Sequence, residues 1–197
     1  MSTNKEIPKP QIHPTAVVDE GAVIGAGTKI WHFCHISGNA VLGENCQVGQ
    51  NVFIDNDVVV GSGVKIQNNV SLYKGVMVGD QCFIGPSAVF TNVINPRSAV
   101  VRKTEFKATH LEQGVSIGAN ATIVCGVKLA AFAFIGAGAV VTEDVKPYAL
   151  MVGVPAKQVG WMSAYGEKLA FDAQGHAVCS GTGVQYVLED GQVKVVS

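Results

Sequence analysis

Two short stretches hold most of the side chains able to bind or react. The run Gln67-Asn68-Asn69, followed by Tyr73 and Lys74, groups amides, a phenol and an ammonium. Such a set can hydrogen-bond a polar ligand, and it contains no nucleophile with an adjacent base. Further on, Asn92 heads a segment carrying Arg97, Arg102, Lys103, Lys107 and His110 against only Glu105 and Glu112. The whole chain has a net charge of −1, so a basic segment within it suits an anionic substrate bearing phosphate or carboxylate. Arg97, within Asn95-Pro96-Arg97, is the best of these cations. Asn92 can orient an amine or a carbonyl by hydrogen bonds but cannot take a proton. If a base is needed, histidine is the residue type with a suitable pKa; His110, His32 and His35 are the candidates. No CxxC pair is present, and a metal site would require three histidines to converge, so no metal is expected.

The element that positions these residues is a repeat. From Ile12 every sixth residue is large and apolar: Ile12, Val18, Ile24, Ile30, Ile36, Leu42, Val48, Ile54, Val60, Ile66, Leu72, Val78, Ile84 and Phe90. Four residues after each sits a smaller one, such as Ala16, Cys34, Cys46, Val70 or Cys82. A period of six is neither helical nor that of a plain strand, and it signals a solenoid. Three hexads close one triangular coil, and coils stack at about 4.8 Å. Columns of neighbours then recur every third hexad. His32, Gln50, Asn68 and Pro86 form one column, Phe33, Asn51, Asn69 and Ser87 the next, and Gly38, Asn56, Lys74 and Asn92 a third. The paired Asn columns can equally be amide ladders that only hold coils together.

The register breaks over 91–116, read as an inserted loop, and resumes with Ile117, Ile123, Leu129, Ile135 and Val141. Nineteen hexads give about six coils and a prism of ~30 Å. Residues 1–160 form the solenoid unit and 161–197 an extension. There, Met162 to Leu169 suggests a short helix, and Asp172-Ala173-Gln174-Gly175 and Glu189-Asp190-Gly191 suggest hairpin turns capping the coil. Charged residues make up only 15% of the chain and glycines number 23, as a solenoid requires. The near-neutral charge disfavours nucleic acid. No apolar run approaches the ~20 residues that cross a bilayer, and the polar start is unlike a signal peptide, so no membrane insertion and a cytoplasmic location are expected. Cys34, Cys46 and Cys82 fall on the small position and read as buried hydrophobes; Cys125 and Cys179 have no assigned role.

The hexads resemble the hexapeptide-repeat acyltransferases, whose fold is a left-handed parallel β-helix, an all-β architecture, assembled as a homotrimer. The close of the repeat, Gly136-Ala137-Gly138-Ala139-Val140-Val141 with Val152-Gly153-Val154-Pro155-Ala156-Lys157, is similar to the CoA-binding end of that family. Lys65 to Ser71, Gly85 to Asn92, Asn95-Pro96-Arg97 and Gly160-Trp161-Met162-Ser163 resemble bacterial nucleotide-sugar N-acetyltransferases. The nearest acetylate the 3-amino group of UDP-2-acetamido-3-amino-2,3-dideoxy-glucuronate for lipopolysaccharide O-antigen. The resemblance implies acetyl-CoA as co-substrate, sites between subunits, and the pantetheine along coils holding Gly118, Ala119, Gly136 and Ala137. Lys157 would meet a CoA phosphate, and Gln67, Asn68, Tyr73, Lys74, Arg97 and Lys107 the sugar nucleotide. Asn92 would orient the reacting groups, with His110 as an optional base. O-acetyl transfer to a sugar or serine hydroxyl, and a non-catalytic scaffold, are the alternatives.

Overall fold

A computed structural model describes residues 8–196. Each hexad contributes a short strand, typically two residues long and ending on the large apolar residue, as in His35–Ile36 and Ser71–Leu72. These strands form three parallel sheets. The first sheet begins at Gln11–Ile12 and its parallel part ends at Ala149–Val152. The second runs from Val17–Val18 to Val140–Val141, and the third from Val23–Ile24 to Lys128–Leu129. Pairing is offset by three hexads, as in Lys29↔Gln47 and His35↔Phe53. This is the parallel six-residue solenoid expected from the hexads, consistent with the left-handed β-helix that the family resemblance implies.

The large residues fill the prism. Ile36, Ile54, Leu72, Phe90 and Ile123 stack along its interior essentially without exposure, with Cys34, Val52, Val70 and Ala88 between them. All five cysteines are free and buried. Some also close backbone gaps: Cys46 Sγ donates to the Gly61 carbonyl at 3.1 Å, and burial pushes the Cys82 thiol up to about 11.

The corners explain the rest of the hexad. The third residue after each large one turns the chain through the left-handed region. Asn39, Asn45, Asn51, Asp57 and Asn69 do so at φ near +60°, and Asn and Asp tolerate that conformation better than most side chains. The residue directly after the large one lies against the next coil. Where that residue is glycine the approach is closest: a Cβ on Gly118 would stand 2.5 Å from the Ala137 amide nitrogen, so this corner closes only on glycine.

Three expectations need correction. The first sheet contains eight parallel strands, so the solenoid has about eight turns rather than six. Seven steps of about 4.8 Å make it ~34 Å long. Second, the loop is shorter than 91–116, because Thr109–Leu111 is a strand paired with Val76–Val78. The usual three-hexad offset would set Asn95 beside Met77, but His110 stands there, so the excursion adds two and a half hexads. Third, the described residues contain no helix, and 162–169 is a turn. Gly166 there sits at φ +96°, which a helix interior cannot adopt, and its N–H donates to the Ser163 carbonyl.

The last coil turns back on itself through an antiparallel pairing of Ala149–Val152 with Lys157–Trp161. Beyond it, His176–Val178, Gln185–Glu189 and Gln192–Val195 form a three-stranded antiparallel sheet. Its small core holds Leu169, Ala177, Cys179, Tyr186 and Val193. The stacked rings of Phe132 and Tyr148, 5.2 Å apart, join it to the solenoid, with Tyr186 edge-on to Tyr148.

Candidate functional site

The predicted site residues occupy two edges of the prism. Gln67, Asn68, Gly118, Ala119, Gly136 and Ala137 lie where the first sheet turns into the second. Tyr73, Lys74 and Asn92 lie where the second turns into the third. The outer face of the second sheet separates them. Among the described residues no hydrogen bond, ion pair or ring contact joins the two sets within one chain.

The first edge changes character along its length. In the third coil the Gln50 N–H donates to Asn68 Oδ1 in the coil below, at 2.8 Å, and Asn51 Nδ2 donates to Asn69 Oδ1 at 3.0 Å. These two bonds form one rung of an amide ladder between the third and fourth coils. Ala119 and Ala137 occupy the equivalent of Gln50 in later coils, and the residue below each is Ala137 and Gly153, neither with an acceptor. Among the described residues the Ala119 and Ala137 N–H groups donate to nothing. Gly138 beside them has open space where a Cβ would be. The result is a pair of unpaired amide donors on one edge, suited to carbonyl groups of an extended ligand.

On the second edge the loop leaves at Asn92 and returns at Lys107, whose N–H donates to the Asn92 carbonyl at 3.0 Å. The Lys107 stem passes over Gly126, while Arg97 and the other loop residues from Ile94 to Val101 are exposed. Arg102 pairs with Glu105 at 2.8 Å. Lys74 pairs with Asp57 at 2.6 Å, which raises its pKa, and its N–H bonds Asp55. Among the described residues, Arg97, Lys103 and Lys107 form no ion pair. Tyr73 continues an outward aromatic ladder through Phe53 to His35, with ring separations of 6.0 and 5.6 Å.

His110 lies elsewhere, on the outer face of the third sheet between Met77 and Lys128. It borders a groove with Val59, Met77 and Glu112. The 2.6 Å contact with Lys128 holds the Glu112 carboxyl below its ordinary range, aided by the Ala131 N–H. Lys157 pairs with Glu143 at 3.2 Å, both exposed. Among the described residues, no group of three or more His, Cys, Asp or Glu is arranged to hold a metal.

A sequence model of bacterial transferase hexapeptide (six repeats) matches residues 21–56 and 57–92, and one of the hexapeptide repeat of succinyl-transferase matches 109–143. The dTDP-3-amino-3,6-dideoxy-alpha-D-galactopyranose 3-N-acetyltransferase of Aneurinibacillus thermoaerophilus is 44% identical over 182 residues, covering 92% of this chain and 93% of that protein. The chain belongs to the hexapeptide-repeat acyltransferases, of the nucleotide-sugar N-acetyltransferase type. A crystal structure of a variant perosamine N-acetyltransferase from Caulobacter crescentus, in complex with CoA and GDP-perosamine, superposes with a TM-score of 0.51 at 25% identity. The match spans 78% of this chain and 57% of that one. The acetyltransferase domain of PglB from Neisseria gonorrhoeae FA1090, in complex with acetyl coenzyme A, shares the fold at 20% identity and a TM-score of 0.53, over 77% of this chain and 58% of that one.

For a hexapeptide-repeat acyltransferase, the donor strip and the basic loop are the two features with evident use. One feature of the first edge stands apart from both. In the second coil its corner is Trp31-His32-Phe33, three rings in a row, below a first-coil corner that begins with His13; the third to seventh coils carry small or amide residues there. Sequence reading treats His32 as a possible base and Phe33 as a column member, and passes over Trp31. The signal in the sequence is three consecutive rings, where the corners of the third to seventh coils hold only Gln, Asn, Gly, Pro, Ser and Ala.

Proposed function

We propose that the protein acetylates the 3-amino group of a nucleoside-diphosphate amino sugar, using acetyl-CoA. The observation that carries this reading is the strip of unpaired N–H donors at Ala119 and Ala137, on a chain of this family. The pantetheine arm and thioester carbonyl lie along it, close to Gly118 and Gly136. The sugar amine, as the free base, attacks the thioester carbon. The C–N bond forms, the C–S bond breaks, and the departing CoA thiolate takes the proton that the nitrogen loses. Alignment supplies much of the rate, and the edge N–H groups stabilise the oxyanion.

The second edge completes the site from a neighbouring subunit of a homotrimer. This assignment follows from the separation of the two residue sets: one chain presents the donor strip, its neighbour presents Asn92 and the loop. Asn92 orients the amine, Arg97 and Lys107 meet the diphosphate or a sugar carboxylate, and Gln67 and Asn68 contact the acceptor. His110 and Lys157, on other surfaces of the same chain, join the site only across such an interface. The unpaired loop cations favour an acceptor with a carboxylate, a UDP-2-acetamido-3-amino uronate of the kind used for lipopolysaccharide O-antigen. The second reading, a dTDP-3-amino-dideoxyhexose, is favoured by the 44% identical relative.

Thiol release from acetyl-CoA, followed with each of the two amino sugars and with hydroxyl acceptors, tests this. The 3-amino sugars are expected to support release; release with hydroxyl acceptors alone would move the assignment to O-acetylation. Asn92→Ala is expected to lower kcat at least tenfold while changing the KM for acetyl-CoA little. Unchanged turnover would remove Asn92 from the mechanism, and a monomer in sedimentation would remove the intersubunit site.

A further inference from the structure

The second-coil corner costs the protein stability without an evident structural return. Phe33 holds φ +56°, a conformation disfavoured for a bulky side chain, yet it is 60% exposed. Phe132 and Tyr148 tolerate the same strain elsewhere, but their rings stack to anchor the C-terminal sheet. Trp31 beside it is 50% exposed. Its ring lies nearly parallel to that of His32 at 6.1 Å, and His32 packs at 3.6 Å on His13 of the coil above.

Two grooves flank Trp31. The larger, about 380 Å³, is walled by Trp31 and His32 and floored by Gln47, Gln50, Gln67 and Asn68. The smaller, about 330 Å³, lies between Trp31 and His13. An exposed ring beside neutral carboxamides suits a flat heterocycle: the ring stacks on its face, and the amides pair with its edge. A carboxamide offers one N–H and one C=O, matching the adjacent C=O and N–H of a pyrimidine dione. The larger groove is lined by no arginine or carboxylate, the side chains that most often read guanine and cytosine.

Resting on the nucleotide-sugar reading above, we propose that this corner is the nucleobase site, where uracil or thymine stacks on Trp31 and is read by Gln47, Gln50 and Gln67. The spacing fits. Trp31 is in the second coil and Ala119 in the sixth, four steps of about 4.8 Å or roughly 19 Å along one edge. An extended nucleoside-diphosphate sugar with its base at Trp31 carries its amine toward the donor strip.

The chain has two tryptophans, Trp31 and Trp161, so in a Trp161→Phe variant emission reports Trp31 alone. UDP and dTDP are expected to quench it saturably, and CoA and GDP are not. In the otherwise native enzyme, Trp31→Leu is expected to raise the KM for the nucleotide sugar about tenfold or more, the worth of one stacked base, and to leave the KM for acetyl-CoA within twofold. Quenching by CoA or GDP to the same extent, or an unchanged nucleotide-sugar KM, would overturn the assignment. If the native enzyme released no thiol with any amino sugar, the acetyl-transfer reading would fall. The UDP and dTDP titrations would still judge the base site separately.

Discussion

One edge of the solenoid is built in two ways. In the third and fourth coils Gln50, Asn51, Asn68 and Asn69 tie coil to coil through their amides. In the sixth and seventh coils the corresponding positions are Ala119, Asn120, Ala137 and Gly138, and the N–H groups of Ala119 and Ala137 are left without acceptors. The backbone path is the same in both. What differs is whether a side chain occupies the space in front of the donors. On the function proposed above, the ligand strip is made by subtraction, through deletion of the side chains that elsewhere serve the scaffold.

Five substitutions break or sharpen that contrast. The largest effect is expected from Gly118→Val. Its Cβ would meet the Ala137 amide at 2.5 Å, so the coils must part, at a cost of about 3 kcal/mol, and acetyl-CoA binding should fall with it. Gly43→Val, 2.6 Å from the Gly61 carbonyl carbon, should destabilise to a similar degree but leave the KM for acetyl-CoA unchanged where the variant remains folded. Chemical denaturation paired with kinetics separates the two; an equal rise in KM for both would mean that the strip has no special role.

Ala137→Asn is a gentler and more diagnostic change, because it rebuilds the N-terminal pattern. The new amide can accept from Ala119 as Asn68 does from Gln50, so stability is expected to hold or to rise by up to about 1 kcal/mol. The KM for acetyl-CoA should rise about tenfold. An unaltered KM would place the thioester elsewhere.

The smallest effect belongs to the scaffold side. Asn69→Ala loses the bond from Asn51 and forces alanine to φ +62°, costing roughly 1–2 kcal/mol. Asn69→Gly loses the same bond without the conformational penalty, so it should cost less. If glycine proves no better than alanine in thermal unfolding, the left-handed corner is not what selects asparagine there.

The fold was legible because each hexad states it independently. A large residue at one position and a small one four later can be buried together only by a coil, and the sequence repeats that demand for almost its whole length. The site was legible only in part. Gly118, Ala119, Gly136 and Ala137 stand on the edge that the register predicts, but what distinguishes that edge is an absent acceptor in the coil below. The count of coils failed at Leu111. The excursion is not a whole number of hexads, so the strand after it is out of phase with Phe90, and Leu111-Glu112 lacks the glycine that marks many other corners. Residues 162–169 failed differently: Met162 and Leu169 are both buried, seven apart, as a helix would have them, yet Gly166 turns the chain between them.

The fixed three-hexad offset has a metric consequence. Every outward position on an edge is indexed in steps of one coil, so on the proposed site assignment the edge acts as a graduated scale that sets donor and acceptor ligands apart by a whole number of divisions. Point substitutions alter what stands at a mark but not where the mark lies. Moving the acceptor relative to the thioester would take insertion or deletion of an entire coil, so acceptor length is a trait that such a protein changes in jumps.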